Sequence, residues 1–209
     1  MSKNKIKGKL IAFEGVDGCG KTTQVSLLKE KLERSGKKVL KVEEPGGTVL
    51  GRKIRDILLT EKNLKIEPLT ELFLYQTSRC QLIRRKVKPA LEEGSHVLMD
   101  RFYLSSLAYQ GYGRGVDLST VKCLNKISTN GLTPDLTILI RLPLEEIVKR
   151  KENEKQDRIE KENLEFYRHV IKGFEESIAE EKNRLILNGV EPREKLSEKI
   201  YQRVENLIG

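Results

Sequence analysis

A chain of 209 residues, 37% hydrophobic and 34% charged, has room for a single α/β domain over 1–209 and is too polar for a membrane protein, since no run approaches the ~18 apolar residues of a spanning helix. Its net charge of +9 comes from 40 Lys and Arg interleaved with 31 Asp and Glu, a balance that suits small polyanions such as nucleotides as well as it suits nucleic acid. Cys19, Cys80 and Cys123 lack CxxC or His partners, which argues against a disulfide framework or zinc site, and with no apolar stretch or cleavage site after the lysines of residues 1–7 a cytoplasmic location is expected.

Short β-type runs alternate with longer helical ones, the pattern of a five-stranded parallel sheet flanked by helices on both faces. Residues 9–13 read as the first strand, and 38–42, 96–99, 136–142 and 184–187 as the others. After Gly20 the residues Val25, Leu28 and Leu32 recur at helical spacing, and Gly36 supplies a left-handed stop. Further helices are predicted over 68–93, 118–126, 144–151, 163–182 and 192–207. Residues 145–162 hold thirteen charged residues of eighteen; they read either as a solvated helix end or as a flap carrying basic groups.

Between the first strand and helix lies GVDGCGKT, Gly15, Val16, Asp17, Gly18, Cys19, Gly20, Lys21 and Thr22, followed by Thr23. It matches G-x-x-x-x-G-K-[ST] in the strand-to-helix setting that a phosphate-binding loop needs. The glycines turn backbone N–H groups inward, Lys21 can reach the β and γ phosphates of ATP, and the Thr22 hydroxyl can ligate Mg²⁺. Asp100 ends the apolar run HVLM, so its carboxylate emerges at the carboxyl edge of the sheet, where ligands of open α/β folds bind. Taken alone, it could equally cap a turn; the phosphate loop favours a role with the metal.

Four segments together resemble the thymidylate kinase family: FEGVDGCGKTTQ (13–24), EPGGT with Ile54 and Arg55, LYQTSRCQ (74–81) and DRFYLSSLAYQGYGRG (100–115). A fifth, DRIE at 157–160, resembles the lid signature of its bacterial-type branch. The resemblance implies a P-loop kinase fold, Mg-dependent transfer of the ATP γ-phosphoryl group to dTMP, and a homodimer, with neither a nucleic-acid partner nor membrane attachment. Carried over position by position, Arg55 and Arg101 would hold the acceptor phosphate with bidentate forks. Tyr75 would stack on the base, with Arg79 on the thymine carbonyl and Ser106 and Gln110 on other base edges; without the resemblance, Tyr75 would read as core packing. Asp17 would meet the deoxyribose 3′-hydroxyl, and Tyr109 would crowd the 2′ position. Gly18 stands where another branch of the family has an Arg, so the catalytic cation is expected from a lid at about 145–162. Arg158 is the candidate best anchored by motif, with Arg150 assigned to ATP and Lys151 and Lys155 as alternatives.

Glu43, where relatives often have Arg, and Arg141, where an Asp often stands, depart from the family pattern. Two rivals remain open at this point: a P-loop kinase for a different nucleoside or nucleotide, and a nucleic-acid binder that exploits the positive charge.

Overall fold

The computed structural model describes residues 8–60, 64–151, 158–159 and 162–209. Among these, strands β1 (Leu10–Glu14), β2 (Val39–Glu43), β3 (His96–Asp100), β4 (Leu136–Arg141) and β5 (Arg184–Asn188) form a parallel sheet in the order β2-β3-β1-β4-β5. Each predicted strand is present, with ends displaced by no more than one residue. The central strand β1 is buried along its whole length, as a strand covered on both faces must be. Its alternation divides the core: Ile11 and Phe13 pack with Val25, Leu28 and Leu32, whereas Leu10 and Ala12 pack with Val97, Met99 and Val87 on the opposite face.

The helices are α1 (Lys21–Arg34), α2 (Val49–Leu59), α3 (Pro68–Leu82), α4 (Lys88–Glu92), α5 (Tyr103–Ser106), α6 (Leu118–Ser128), α7 (Leu144–Lys151), α8 (Leu164–Ala179) and α9 (Arg193–Ile208). The helix predicted over 68–93 is α3 and α4 joined by a π-helical turn, Ile83–Val87; Pro89, which has no N–H to give the ladder, follows at once. A second π-helical turn, Leu107–Gly113, continues α5. None of the described helices is long and apolar enough to cross a membrane.

Two helical stretches were not predicted. Helix α2 follows EPGG, which reads as a turn, yet Thr48 caps it by accepting from the Gly51 N–H at 2.9 Å, and Ile54 and Leu58 bury one face. Residues 103–113 carry two glycines that argue against a helix. Packing of α8 against this segment, including Phe166 and Phe174 beside Tyr109, overrides that propensity.

Parallel strands bring all carboxyl ends to one edge. There Asp100 pairs in register with Phe13 and Glu43, and the ladder runs one bond further on each side. Arg101 N–H donates to Phe13 O at 2.9 Å and Glu44 N–H to Asp100 O at 3.0 Å. The sheet thus fixes the first residues of three loops against one another.

Candidate active site

The loop 15–20 leaves β1 through Gly15 at φ 138°. A Cβ there would lie 2.5 Å from Ile140 O and 2.9 Å from Cys19 Sγ, so no side chain fits. Gly20, at φ 98°, caps α1 without a side-chain bond, and no acidic residue occupies the first turn of α1. The N–H groups of that turn are consequently presented to an anion. Lys21 is buried and folded over the loop, its Nζ donating to Val16 O at 2.7 Å and to the buried Cys19 Sγ at 3.6 Å. Thr22 Oγ1 donates to Asp100 Oδ2 at 2.5 Å. A cavity of about 780 Å³ opens over this group, bordered by Gly18, Lys21, Thr22, Thr23, Asp100 and Arg101.

Arg101 takes φ 71°, a left-handed conformation that costs a non-glycine residue roughly 1–3 kcal/mol. The turn folds its guanidinium back under the loop, where it donates to Gly15 O at 3.0 Å, Ser105 Oγ at 3.1 Å and Asp17 Oδ1 at 2.5 Å, and lies over the Tyr109 ring. Tyr109 O–H donates to the other Asp17 oxygen at 2.8 Å. Burial acts to raise the Asp17 carboxyl, but the charges of Arg101 and Lys21, with the bonds from Tyr109 and Arg101, outweigh it and hold the group well below the usual carboxylate range. Behind Arg101, fully buried Glu14 accepts from Phe102 N–H at 2.9 Å and Ser105 O–H at 2.6 Å, tying the start of α5 to β1.

A second cavity, of about 550 Å³, meets the first at Asp17, Glu44, Arg55 and Arg101. Tyr75, Arg79, Ser106, Tyr109 and Gln110 line its far part, so the predicted acceptor residues do converge. Arg55 is anchored by donation to Pro45 O at 2.9 Å. Arg79 differs from expectation in one respect. All five of its N–H groups are engaged within the protein: with Glu44 Oε2 at 2.6 Å, Gln76 Oε1 at 3.1 Å, Asn125 Oδ1 at 2.7 Å, Phe102 O at 3.1 Å and Ser106 Oγ at 3.0 Å. Arg79 is thus tied into the protein on every side, while Ser106, accepting from Arg79, keeps its own proton to give.

The basic residues of the segment expected to form a lid are distributed differently from the expectation as well. Arg150, on α7, donates to Gly18 O at 2.7 Å and Gly189 O at 3.1 Å, covering the loop position where the side chain is missing. Arg158 instead donates to Leu58 O at 2.8 Å and Glu71 Oε2 at 2.5 Å, because buried Glu71 draws guanidinium groups toward it. Lys155, Asp157, Glu160 and the side chain of Lys151 lie outside the described residues. As for the departures from pattern, Glu43 lies 3.9 Å from Arg55, and Arg141 pairs with Glu175 on the surface.

Sequence reasoning missed the buried acids Glu14, Glu44 and Glu71 as organisers of the site. The available signal was their placement: Glu14 ends an apolar strand, and Glu71 lies one helical turn before Tyr75 on α3.

A phosphate-binding loop after the central strand of this sheet, opening onto a second cavity past two arginines, defines a P-loop phosphotransferase. A family model for thymidylate kinase matches residues 13–200. A thymidylate kinase of Caldanaerobacter subterraneus subsp. tengcongensis is 49% identical over 87% of either chain. One from a Thermoanaerobacter species is 45% identical over 97% of this chain and 100% of its own, and one from Prochlorococcus marinus is 42% identical over 97% and 99%. The chain belongs to the thymidylate kinase family.

Proposed function

We propose a division of labour among these residues for the reaction that family membership assigns to the chain, ATP-dependent phosphorylation of dTMP to dTDP. The observation that carries it is the meeting of the two cavities at Asp17, Arg55 and Arg101: a donor phosphate on the loop and an acceptor phosphate between the two arginines face each other across it. Phosphoryl transfer needs alignment and charge neutralisation rather than a covalent intermediate. Lys21 and the N–H groups of α1 hold the ATP phosphates. Arg55 and Arg101 hold the acceptor phosphate, with Glu14, Ser105 and Asp17 fixing Arg101. The lowered Asp17 remains an acceptor at working pH, suited to a sugar hydroxyl, and Tyr109 closes the wall beside it. Tyr75 stacks on the base, whose edge meets Ser106 and Gln110, with Arg79 behind them.

Magnesium fits the loop mouth. Thr22 and Asp100 offer two hard oxygen donors side by side, and among the described residues no group of three or more acidic, His or Cys side chains could hold an ion by itself; that suits an ion that takes its remaining ligands from phosphate and water. When bound, it neutralises phosphate charge. Arg150 is the cation assigned to the loop, and the segment 145–162 the lid.

The homodimer is supported by an apolar face formed by adjoining helices: Val49 and Leu50 on α2, Phe73 on α3 and Ile127 on α6 are all exposed. Phe73→Glu is expected to give a monomer by light scattering. A cytoplasmic location accords with nucleotide substrates.

A coupled ADP-release assay with Mg-ATP and dTMP, dUMP, dCMP, AMP, GMP or thymidine tests the whole reading. Strong preference for dTMP is expected. Preference for a different monophosphate would retain the phosphate loop and overturn the base site.

A further inference from the structure

We infer that Glu71 is a positioning residue that sets the hydrogen-bond polarity of the base site, acting through Gln110. The inference rests on the assignment of the 550 Å³ cavity to dTMP.

Glu71 is 1% exposed. Its Oε1 accepts from Gln110 Nε2 at 2.9 Å and from Arg114 Nε at 3.3 Å, and its Oε2 from Arg158 at 2.5 Å. A carboxylate surrounded by such donors can only accept. The Gln110 amide must therefore turn its NH₂ group toward Glu71, and its carbonyl oxygen is what remains for the cavity that Gln110 lines. Beside it, Ser106 Oγ accepts from Arg79, which leaves Ser106 with a proton to donate. The base end of the cavity thus presents an acceptor next to a donor. Thymine and uracil offer the complement, an N3–H donor beside the O4 acceptor. Cytosine offers the reverse, an N3 acceptor beside an N4 amine, and would place like groups against each other.

Glu71→Gln should invert half of this pattern. The short contact from Arg158 and a second one from an Arg114 NH₂ group at 3.5 Å, against the single 3.3 Å bond from Arg114 Nε on the other side, select the amide oxygen for the Oε2 position, so the new NH₂ group faces Gln110. Gln110 then flips its carbonyl toward residue 71 and its NH₂ toward the base.

The test measures kcat/KM for dTMP, dUMP and dCMP with wild type and Glu71→Gln. The dTMP to dCMP ratio is expected to narrow by roughly tenfold or more, while the dTMP to dUMP ratio, which reports only the methyl group, stays constant. General damage to the fold would lower all three rates and move neither ratio. An unchanged dTMP to dCMP ratio in a folded variant overturns the inference. A wild-type preference for some other monophosphate would instead overturn the cavity assignment beneath it. A readout independent of the variant's folding is exchange of the Gln110 side-chain amide protons in wild type, assigned by their loss in Gln110→Met. Protection with and without dTMP is expected; rapid exchange in the dTMP complex overturns the role given to Glu71.

Discussion

Arg79 Nε–H donates to Glu44 Oε2 at 2.6 Å, and both side chains are almost completely buried. This pair joins α3 to the turn after β2, and the remaining Arg79 donors reach Gln76, Asn125, Phe102 and Ser106. Removing the arginine leaves Glu44 buried without its partner, a change of about 3–5 kcal/mol. Arg79→Ala is accordingly expected to lower stability by that amount in urea denaturation, and Arg79→Ala combined with Glu44→Gln to recover part of the loss. A single variant within about 1 kcal/mol of wild type would contradict the assignment of Arg79 as a structural hub.

Burial pushes the Glu44 carboxyl up to about 7, with the Arg79 charge and hydrogen bond holding back part of the rise. The folded chain keeps this proton to near pH 7, whereas an unfolded chain releases it near 4.5. Between those values the folded state binds more protons, so stability decreases as pH rises, by at most about 1.4 kcal/mol per pH unit. Glu14, also raised by burial, contributes with the same sign. The lowered Asp17 acts oppositely, its contribution being lost only as pH falls below the ordinary value of 3.8. Urea denaturation at about pH 5 and about pH 7.5 should show a flatter dependence in Glu44→Gln than in wild type; equal slopes would refute it.

Arg150 and Arg158 should separate kinetically. With its guanidinium on the Gly18 carbonyl, Arg150→Ala is expected to lower kcat roughly a hundredfold with little change in the KM for dTMP. Arg158 lies on Glu71, so Arg158→Ala should mainly raise the KM for dTMP. The opposite distribution would return the catalytic cation to Arg158.

Thr22 is exposed, and its Oγ1 donates to Asp100 Oδ2. Thr22→Val should leave the melting temperature close to wild type and increase the Mg²⁺ concentration needed for half-maximal rate. A chelator in excess should abolish turnover in both proteins, with recovery on adding Mg²⁺. An unchanged Mg²⁺ requirement in the variant would remove Thr22 from the metal site.

The strands and the phosphate loop were legible because each rests on a local cue: a run of Ile, Leu and Val with two buried faces, or glycines at fixed offsets before a lysine. Asp100 and Arg101 were legible for a similar reason, at the end of an apolar run. Engagement was not. Nothing near Arg79 in the chain indicates that Glu44, Asn125 and Phe102 would occupy its donors, since these contacts span 23 to 46 residues. Likewise the direction taken by Arg158 depends on Glu71, 87 residues away. The helix at 103–113 stayed hidden because α8, distant in sequence, stabilises what its glycines disfavour.

Gly18 has open space beside it, and the nearest side-chain atoms a Cβ would meet belong to Arg150, 3.9 Å away. Besides the loop's own Lys21, a second positive group is thus supplied from 132 residues further along the chain. With Arg150 also donating to Gly189 O, one side chain ties the loop after β1 to the turn after β5, so the setting of the glycines depends on segments from both halves of the chain.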